Sequence, residues 1–272
     1  MGSLAKRLGQ WSRKSLESES ASIFRGMKAN KAPGSLSLLL DGTLKEGHDM
    51  TVFGVGTLAT MASRARYGQF LTNFQAIYST MEEELDAASM PAIKSETIRL
   101  VWDPHQGILR RNARLNEDIE EINLLVDETN NVSRVSPCTL RYIQAIRQAG
   151  EADRESGGGR LLGHLYCRYF ADLFGGQMLG RPYELALQLP RSPRHLEFEF
   201  STSRQVYLEQ LYTDLNKAGN LLESNQMEQV RKESILAFQH NVHVYSEEPR
   251  MMVDAAKGGL NSFLGWATSL SR

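Results

Sequence analysis

Two adjacent glycines, Gly175 and Gly176, sit inside a stretch that otherwise reads as helix. From His164 to Gly180 the apolar and aromatic residues recur at helical spacing, and an acid, Asp172, stands one turn before the pair. Each glycine costs a helix roughly 0.5–1 kcal/mol relative to alanine. A chain that carries two together therefore has either a close helix crossing, a break between two helices, or a flat ligand brought against bare backbone. The glycines alone do not separate these readings.

The rest of the chain narrows the setting. Its 272 residues, 41% of them apolar, suffice to fill one large core, and a single domain with tails is expected. A net charge of −1 offers no general attraction to nucleic acid. Cys138 and Cys167 are the only cysteines, too few for a disulfide framework. No run approaches eighteen apolar residues, so no transmembrane anchor is expected and the protein reads as soluble. The first sixteen residues hold Lys6, Arg7, Arg13 and Lys14 and no acid. They suit a basic arm or a residual transit segment, hence a plastid location, with cytoplasm as the alternative.

Helix signals dominate. Leu115, Ile119, Ile122 and Val126 form one apolar stripe with acids on the other faces. Ser136-Pro137 starts the next helix and Gly150 is placed to stop it. Asn225-Gln226-Met227-Glu228 has capping-box spacing ahead of the last long helix, with Val230, Ala237, Phe238, Asn241 and Tyr245 toward its inner side. Ser156 to Gly159 reads as a loop, Glu197 to Phe200 as the one short alternating stretch, and Leu260 to Ala267 as a short amphipathic helix packed on the domain. The expected organisation is all-α: an arm over 1–35, one domain over 36–247, and an appendage over 248–272.

The string running from Tyr166 through Arg168, Tyr169, Asp172 and Leu173 to Gly175, Gly176 and Gln177 resembles the distal helix of heme oxygenases. Gly-Gly-Gln also occurs in peptide-release factors, as a loop tip, a use that the aromatic helical setting and near-neutral charge oppose. Lys45 to His48 resembles the family's first helix, Asn73 to Tyr78 running into Glu82 to Leu85 its next long helix. Leu109 to Asp118 and Arg141 to Ile143 are weaker matches, and Glu209 to Tyr212 and Ala237 to Val242 follow in family order. The resemblance is to the biliverdin-producing type, in organisation nearest the soluble plant, algal or bacterial members. It implies a helical bundle with haem between a proximal helix and a kinked distal helix.

The resemblance also implies roles. His48 would be the axial ligand to the haem iron, and so the only metal ligand. Asp172, with Tyr78 and Arg168, would organise the ordered water used in catalysis. Gly175 and Gly176 would let backbone approach the haem, Lys45 and Tyr166 would hold its propionates, and Phe238 would line the pocket. Haem would be both cofactor and substrate, consumed with molecular oxygen and an external reductant. The chain has no flavin, nucleotide or iron–sulfur fingerprint. Its partners would be an electron donor such as ferredoxin or a reductase, and a downstream bilin reductase.

Departures from the pattern sharpen the question. Asp41 stands one helical repeat before His48 where the family commonly has a cation, and Glu209 and Thr213 stand at two later cation positions. Ala171 replaces a glycine, and Phe174 stands where a small residue is usual and would narrow the oxygen pocket. Two functions follow: oxidative opening of haem to biliverdin with release of iron and carbon monoxide, or a non-degrading relative that acts as a haem-binding or assembly module. A di-metal carboxylate oxidase is disfavoured by counting, since no histidine has a glutamate three residues before it.

Overall fold

Helix follows helix because apolar residues recur at 3.6-residue spacing along almost the whole chain, and each stripe must be buried against another. The computed structural model describes residues 29, 32–47, 50–90, 95–126, 134–247 and 250–270, with backbone alone for 45–47, 50 and 51. The helices are α1 (Leu36–Gly47), α2 (Met50–Thr60), α3 (Arg64–Ser89), α4 (Glu96–Leu109), α5 (Asn112–Asn123) and α6 (Pro137–Ser156). After them come α7 (Arg160–Leu165), a π-helical turn (Tyr166–Phe170), α8 (Ala171–Phe174), a 3-10 turn (Gly176–Leu179) and α9 (Gly180–Leu187). The chain closes with α10 (Arg204–Gly219), α11 (Ser224–Ser246) and α12 (Met251–Ser269). Among the described residues no strand forms, and Glu197 to Phe200 is extended without pairing.

The 26-residue α3 is the spine. Tyr67, Leu71, Phe74, Tyr78, Met81 and Leu85 form its buried stripe, against which α4, α5 and α6 pack. α11 packs against α6, α7 and α1, and residues of all four helices join one continuous apolar core.

Local chemistry sets the helix ends. Ser63 caps α3 by accepting from the Arg66 N–H at 3.2 Å, and Ser136 caps α6 by accepting from Thr139. α6 does not stop at Gly150. It runs on to Ser156 and ends at Gly157, whose φ of 71° is the left-handed conformation that glycine adopts without cost. Gly150 instead makes room for Glu84 of α3, which lies across α6 to pair with Arg154. The capping box of α11 is also displaced from the expected position, since Glu223 is the N-cap and Gln226 its reciprocal partner. α5 ends at Asn123, so Val126 packs on the core from beyond it.

Two devices fix the segment that carries the glycine pair. The Asp153 carboxylate, from the end of α6, accepts the Arg160 and Leu161 N–H groups at 2.8 Å each, capping the start of α7 from a neighbouring helix. Then α7 crosses α11 at Gly163, where a Cβ would stand 2.6 Å from the Ser234 nitrogen and 2.7 Å from the Val230 carbonyl oxygen. Beyond α9, buried Arg111 donates to the His195 and Glu197 carbonyls, and Asp118 accepts from the Arg194 and His195 N–H groups and from His195 Nδ1 at 2.7 Å. That clamp seats Leu196 beside Gly176.

The C-terminal helix is longer than the expected stretch around Leu260. It lies on α2 and α9, with Gly258 against the Leu58 carbonyl, Gly265 against that of Leu185, and Asn261 donating to Met61 and Ala62 carbonyls. Leu260, Phe263, Leu264 and Trp266 stay about half exposed. No helix among the described residues is long and apolar enough to cross a membrane.

Two outcomes test this reading. Gly163→Ala should lower stability by roughly 1–3 kcal/mol, because its obstacles are backbone atoms that cannot step aside; urea unfolding measures it. Burial pushes the Asp153 carboxyl from 3.8 up to about 6, outweighing its two N–H donors and the Arg160 charge. A raised folded-state value means the contribution is complete below pH 3.8 and lost as pH rises through about 6. Asp153→Asn should flatten stability across that window, a change on the order of 2–3 kcal/mol.

Candidate functional site

Where the π-helical turn inserts its wider ring, Arg168 swings into the bundle and becomes buried. One Nη donates to Asn241 Oδ1 on α11 at 2.8 Å, the other to the Tyr78 hydroxyl on α3 at 2.9 Å. The guanidinium carbon also lies 4.3 Å from the centre of the Phe74 ring. Tyr78 passes the polarity on by donating to Asp172 Oδ2. Asp172 Oδ1 is 4.0 Å from Arg168 Nη2. The result is one connected chain in which Arg168 donates on one side to Asn241 and on the other to Tyr78, which donates to Asp172, drawn from α11, the π-helical turn, α3 and α8.

Charge and burial give that chain a direction. Burial by itself would lower the Arg168 pKa, but Tyr78 and Asp172 outweigh it and hold the guanidinium above its usual value. Burial drives the Tyr78 phenol far above its usual value; Asp172 adds to this and Arg168 opposes it. At neutral pH Tyr78 is therefore a neutral donor beside a fixed cation. Arg168, Tyr78 and Asn241 are 4% exposed or less, whereas the Asp172 side chain is 14% exposed. The chain thus ends in a carboxylate at the edge of the core, where a water or ligand can meet it.

Asp172 is next to the glycine pair, and there the competing explanations separate. Neither glycine adopts a positive φ, and Gly175, at φ −117° and ψ −35°, has a backbone open to alanine. A Cβ on Gly175 would meet only the Ala171 carbonyl oxygen, at 3.4 Å, and one on Gly176 would make contacts no closer than 3.4 Å. At Gly163 and Gly258 the protein's own backbone demands glycine; at Gly175 and Gly176 neither a crossing helix nor the backbone conformation does. Gly175 is half-buried beside Asp172, whereas Gly176 is buried against Leu196 and the Asp172 side chain, so Gly175 is the glycine whose backbone fits a flat macrocycle such as haem.

The Tyr166 hydroxyl donates to Asp41 of α1, and Tyr212 donates to the same Asp41 Oδ1 at 3.3 Å, so Tyr166 is already engaged with the protein. Phe238 is buried on α11, one turn before Asn241. Phe174 lies about 200° round the helix from Asp172. Its ring joins Phe170 and Tyr212, 6.2 and 6.4 Å away, so it turns toward α10. Glu209 accepts the Ala29 N–H at 2.8 Å, and Thr213 donates to the Glu209 carbonyl. The expected axial ligand His48 lies outside the described residues, and of Lys45 only the backbone, within α1, is described.

Asn241, which the family resemblance puts with Phe238 on the last helix where members line or support the pocket, is hydrogen-bonded to Arg168. Its signal was that position: an amide there must find partners, and it finds Arg168, the Ala237 carbonyl at 2.8 Å and Cys167 Sγ at 3.3 Å. Burial pushes the Cys167 thiol up to about 12, so it serves as packing and not as a nucleophile.

Fold and site together define an all-α protein built round a broken helix that carries a buried polar chain. The family model described as heme oxygenase matches residues 40–247, and the chain belongs to that family. It is 29% identical over 189 residues to a heme oxygenase of the pufferfish Takifugu rubripes, a match covering 69% of this chain and 63% of that protein's length. Heme oxygenase 2 of Chlamydomonas reinhardtii, solved without heme, superposes with a TM-score of 0.67 at 19% identity, covering 79% of this chain and 98% of that one. Heme oxygenase-1 of Synechocystis, solved in complex with heme, gives 0.65 at 21% identity, covering 85% and 99%. Both likenesses bear on the fold.

Gly175→Ala should leave the ligand-free protein as stable as before, or more stable by about 0.5 kcal/mol. The same variant should lose haemin affinity by roughly 1–3 kcal/mol as the methyl meets the macrocycle. Melting curves and an optical haemin titration, run side by side, check both halves.

Proposed function

We propose that this chain is a heme oxygenase: it opens haem to biliverdin, releasing iron and carbon monoxide, at the expense of molecular oxygen and electrons from a separate donor such as ferredoxin or a reductase. The observation that carries the reading is the buried chain from Asn241 through Arg168 and Tyr78 to Asp172, ending beside glycines that no protein contact requires. Membership of the family supports it.

Haem, when bound, supplies the iron at which oxygen is reduced and the porphyrin carbon that is oxidised. His48 would ligate its iron, and Lys45 would stand beside one propionate. Gly175 and Gly176 would let the backbone approach the macrocycle, and Phe238 would line the pocket. The remaining work belongs to the polar chain. Arg168 polarises the Tyr78 hydroxyl, which orients the Asp172 carboxylate, and Asp172 is left to hold a water and its proton over the haem face. Release to a bilin reductase and a plastid setting, supported by the basic, acid-free N-terminal residues, complete the proposal.

One observation favours the alternative of a haem binder that does not degrade haem, namely the carboxylate of Asp41 facing the distal segment. Turnover separates the two. His48→Ala should abolish the histidine-ligated spectrum, and an unchanged iron–histidine Raman band would remove His48. Asp172→Asn and Asp172→Ala should keep haem yet lose most biliverdin formation, by about 10²-fold or more. Wild-type rates in both would place proton control elsewhere.

A further inference from the structure

We infer that α12 is a strut between the two walls of the haem site: it sets the place of α2, the helix that starts two residues after His48, relative to α9, the helix that follows the glycine pair. The inference rests on the proposed haem site. Its first ground is that α2 cannot hold its own position. The sequence of its 11 residues, MTVFGVGTLAT, consists mostly of glycine and β-branched residues. A helix this short and this poor in helix formers is marginal without packing. Whatever it packs on therefore fixes where it lies.

Three elements supply that packing. From α11 the Tyr245 ring fills the notch at Gly56, where a Cβ would stand 2.4 Å from it, and meets the Phe53 ring edge-on at 5.3 Å. From α9 the Tyr183 hydroxyl is hydrogen-bonded to Thr60 at 2.7 Å. The most extensive contact is with α12. There Gly258 brings backbone onto backbone, since a Cβ would stand 1.8 Å from the Leu58 carbonyl oxygen. Asn261 donates to the Met61 and Ala62 carbonyls at 3.0 and 3.2 Å, in the turn that leaves α2. Two helical turns further along the same face of α12, about 10 Å on, Gly265 meets α9 in the same way, 2.5 Å from the Leu185 carbonyl oxygen to its would-be Cβ. Asp254 pairs with Arg66 at 3.6 Å and ties the start of α12 to the first turn of α3. One helix thus grips both walls through backbone contacts that leave no slack. Upstream of His48, α1 is fixed separately, with Thr43 hydrogen-bonded to Ser234 at 2.9 Å. The chain is therefore anchored on either side of His48, before it by the core and after it by α12.

The test compares the wild-type protein with Asn261→Ala, Gly258→Ala and, as a control on the exposed face of α12, Leu264→Ser. In the ligand-free protein, amide hydrogen exchange over residues 50–62 should quicken roughly tenfold in Asn261→Ala and further in Gly258→Ala, while α3 and α6 keep wild-type protection. With haemin bound, Asn261→Ala should keep the histidine-ligated spectrum yet release haemin roughly five- to tenfold faster, with a shifted iron–histidine Raman band. Leu264→Ser should match the wild type in each measurement. Exchange that quickens in α12 alone would show that α12 rides on α2 without holding it, and equal quickening through α3 and α6 would reduce the substitutions to a general loss of stability; either result overturns the strut. Unchanged haemin release and an unchanged Raman band beside quickened exchange would overturn its bearing on the site. Wild-type protein that takes up no haemin would remove the haem reading itself, and the exchange comparison would still decide whether α12 holds α2. Should Gly258→Ala not fold, Asn261→Ala decides alone.

Discussion

The buried guanidinium of Arg168 is the constraint on which the site depends. A charge placed in this core is tolerated only if its neighbours neutralise and hydrogen-bond it, and the chain answers with Asn241, Tyr78 and Asp172 plus the faces of Phe74 and Tyr78. Those partners lie on α11, α3 and α8, so satisfying one cation also locks three elements in register. The π-helical turn is what aims it, because a regular helix would carry Arg168 to a different azimuth relative to Asp172. Structure and chemistry share the same bonds here: the interactions that make the cation bearable also set the orientation of the outermost carboxylate.

Glycine plays two opposite parts in the same segment. Gly163 lets α7 and α11 bring their backbones together, and the protein itself fills the space. At Gly175 and Gly176, a dozen residues later, no crossing backbone demands glycine: Gly175 meets only the Ala171 carbonyl of its own segment, and Gly176 is in ordinary contact with Leu196 and Asp172. Held between the Gly163 crossing and the Arg111–Asp118 clamp, the broken helix presents its bare backbone on a rigid frame. The C-terminal helix uses Gly258 and Gly265 in the first way, lying close on α2 and α9 while its outer apolar residues stay in solvent.

Much of this was legible without coordinates. Helical periodicity established the all-α class, because an apolar stripe every 3.6 residues leaves a chain few other ways to bury it. Asp172 and the glycine pair announced a site because they break that pattern at a cost. The misreadings have a common cause. Gly150 looked like a helix stop and Asn225 like a cap, since both signals are local, whereas Glu84 of another helix occupies the space at Gly150 and the acceptor that caps α11 is Glu223.

By itself the sequence determined the class of fold, the helix that breaks, and the residue types available for chemistry, all of which follow from short-range periodicity and backbone cost. Only the tertiary structure decided who meets whom: that Asn241 completes the Arg168 chain, that Tyr166 is spent on Asp41, and that Glu209 holds Ala29. These pairs are separated by 73, 125 and 180 positions along the chain. No local propensity encodes such a contact, because it exists only after helices distant in sequence have packed and a buried polar group must take whichever partner the packing supplies.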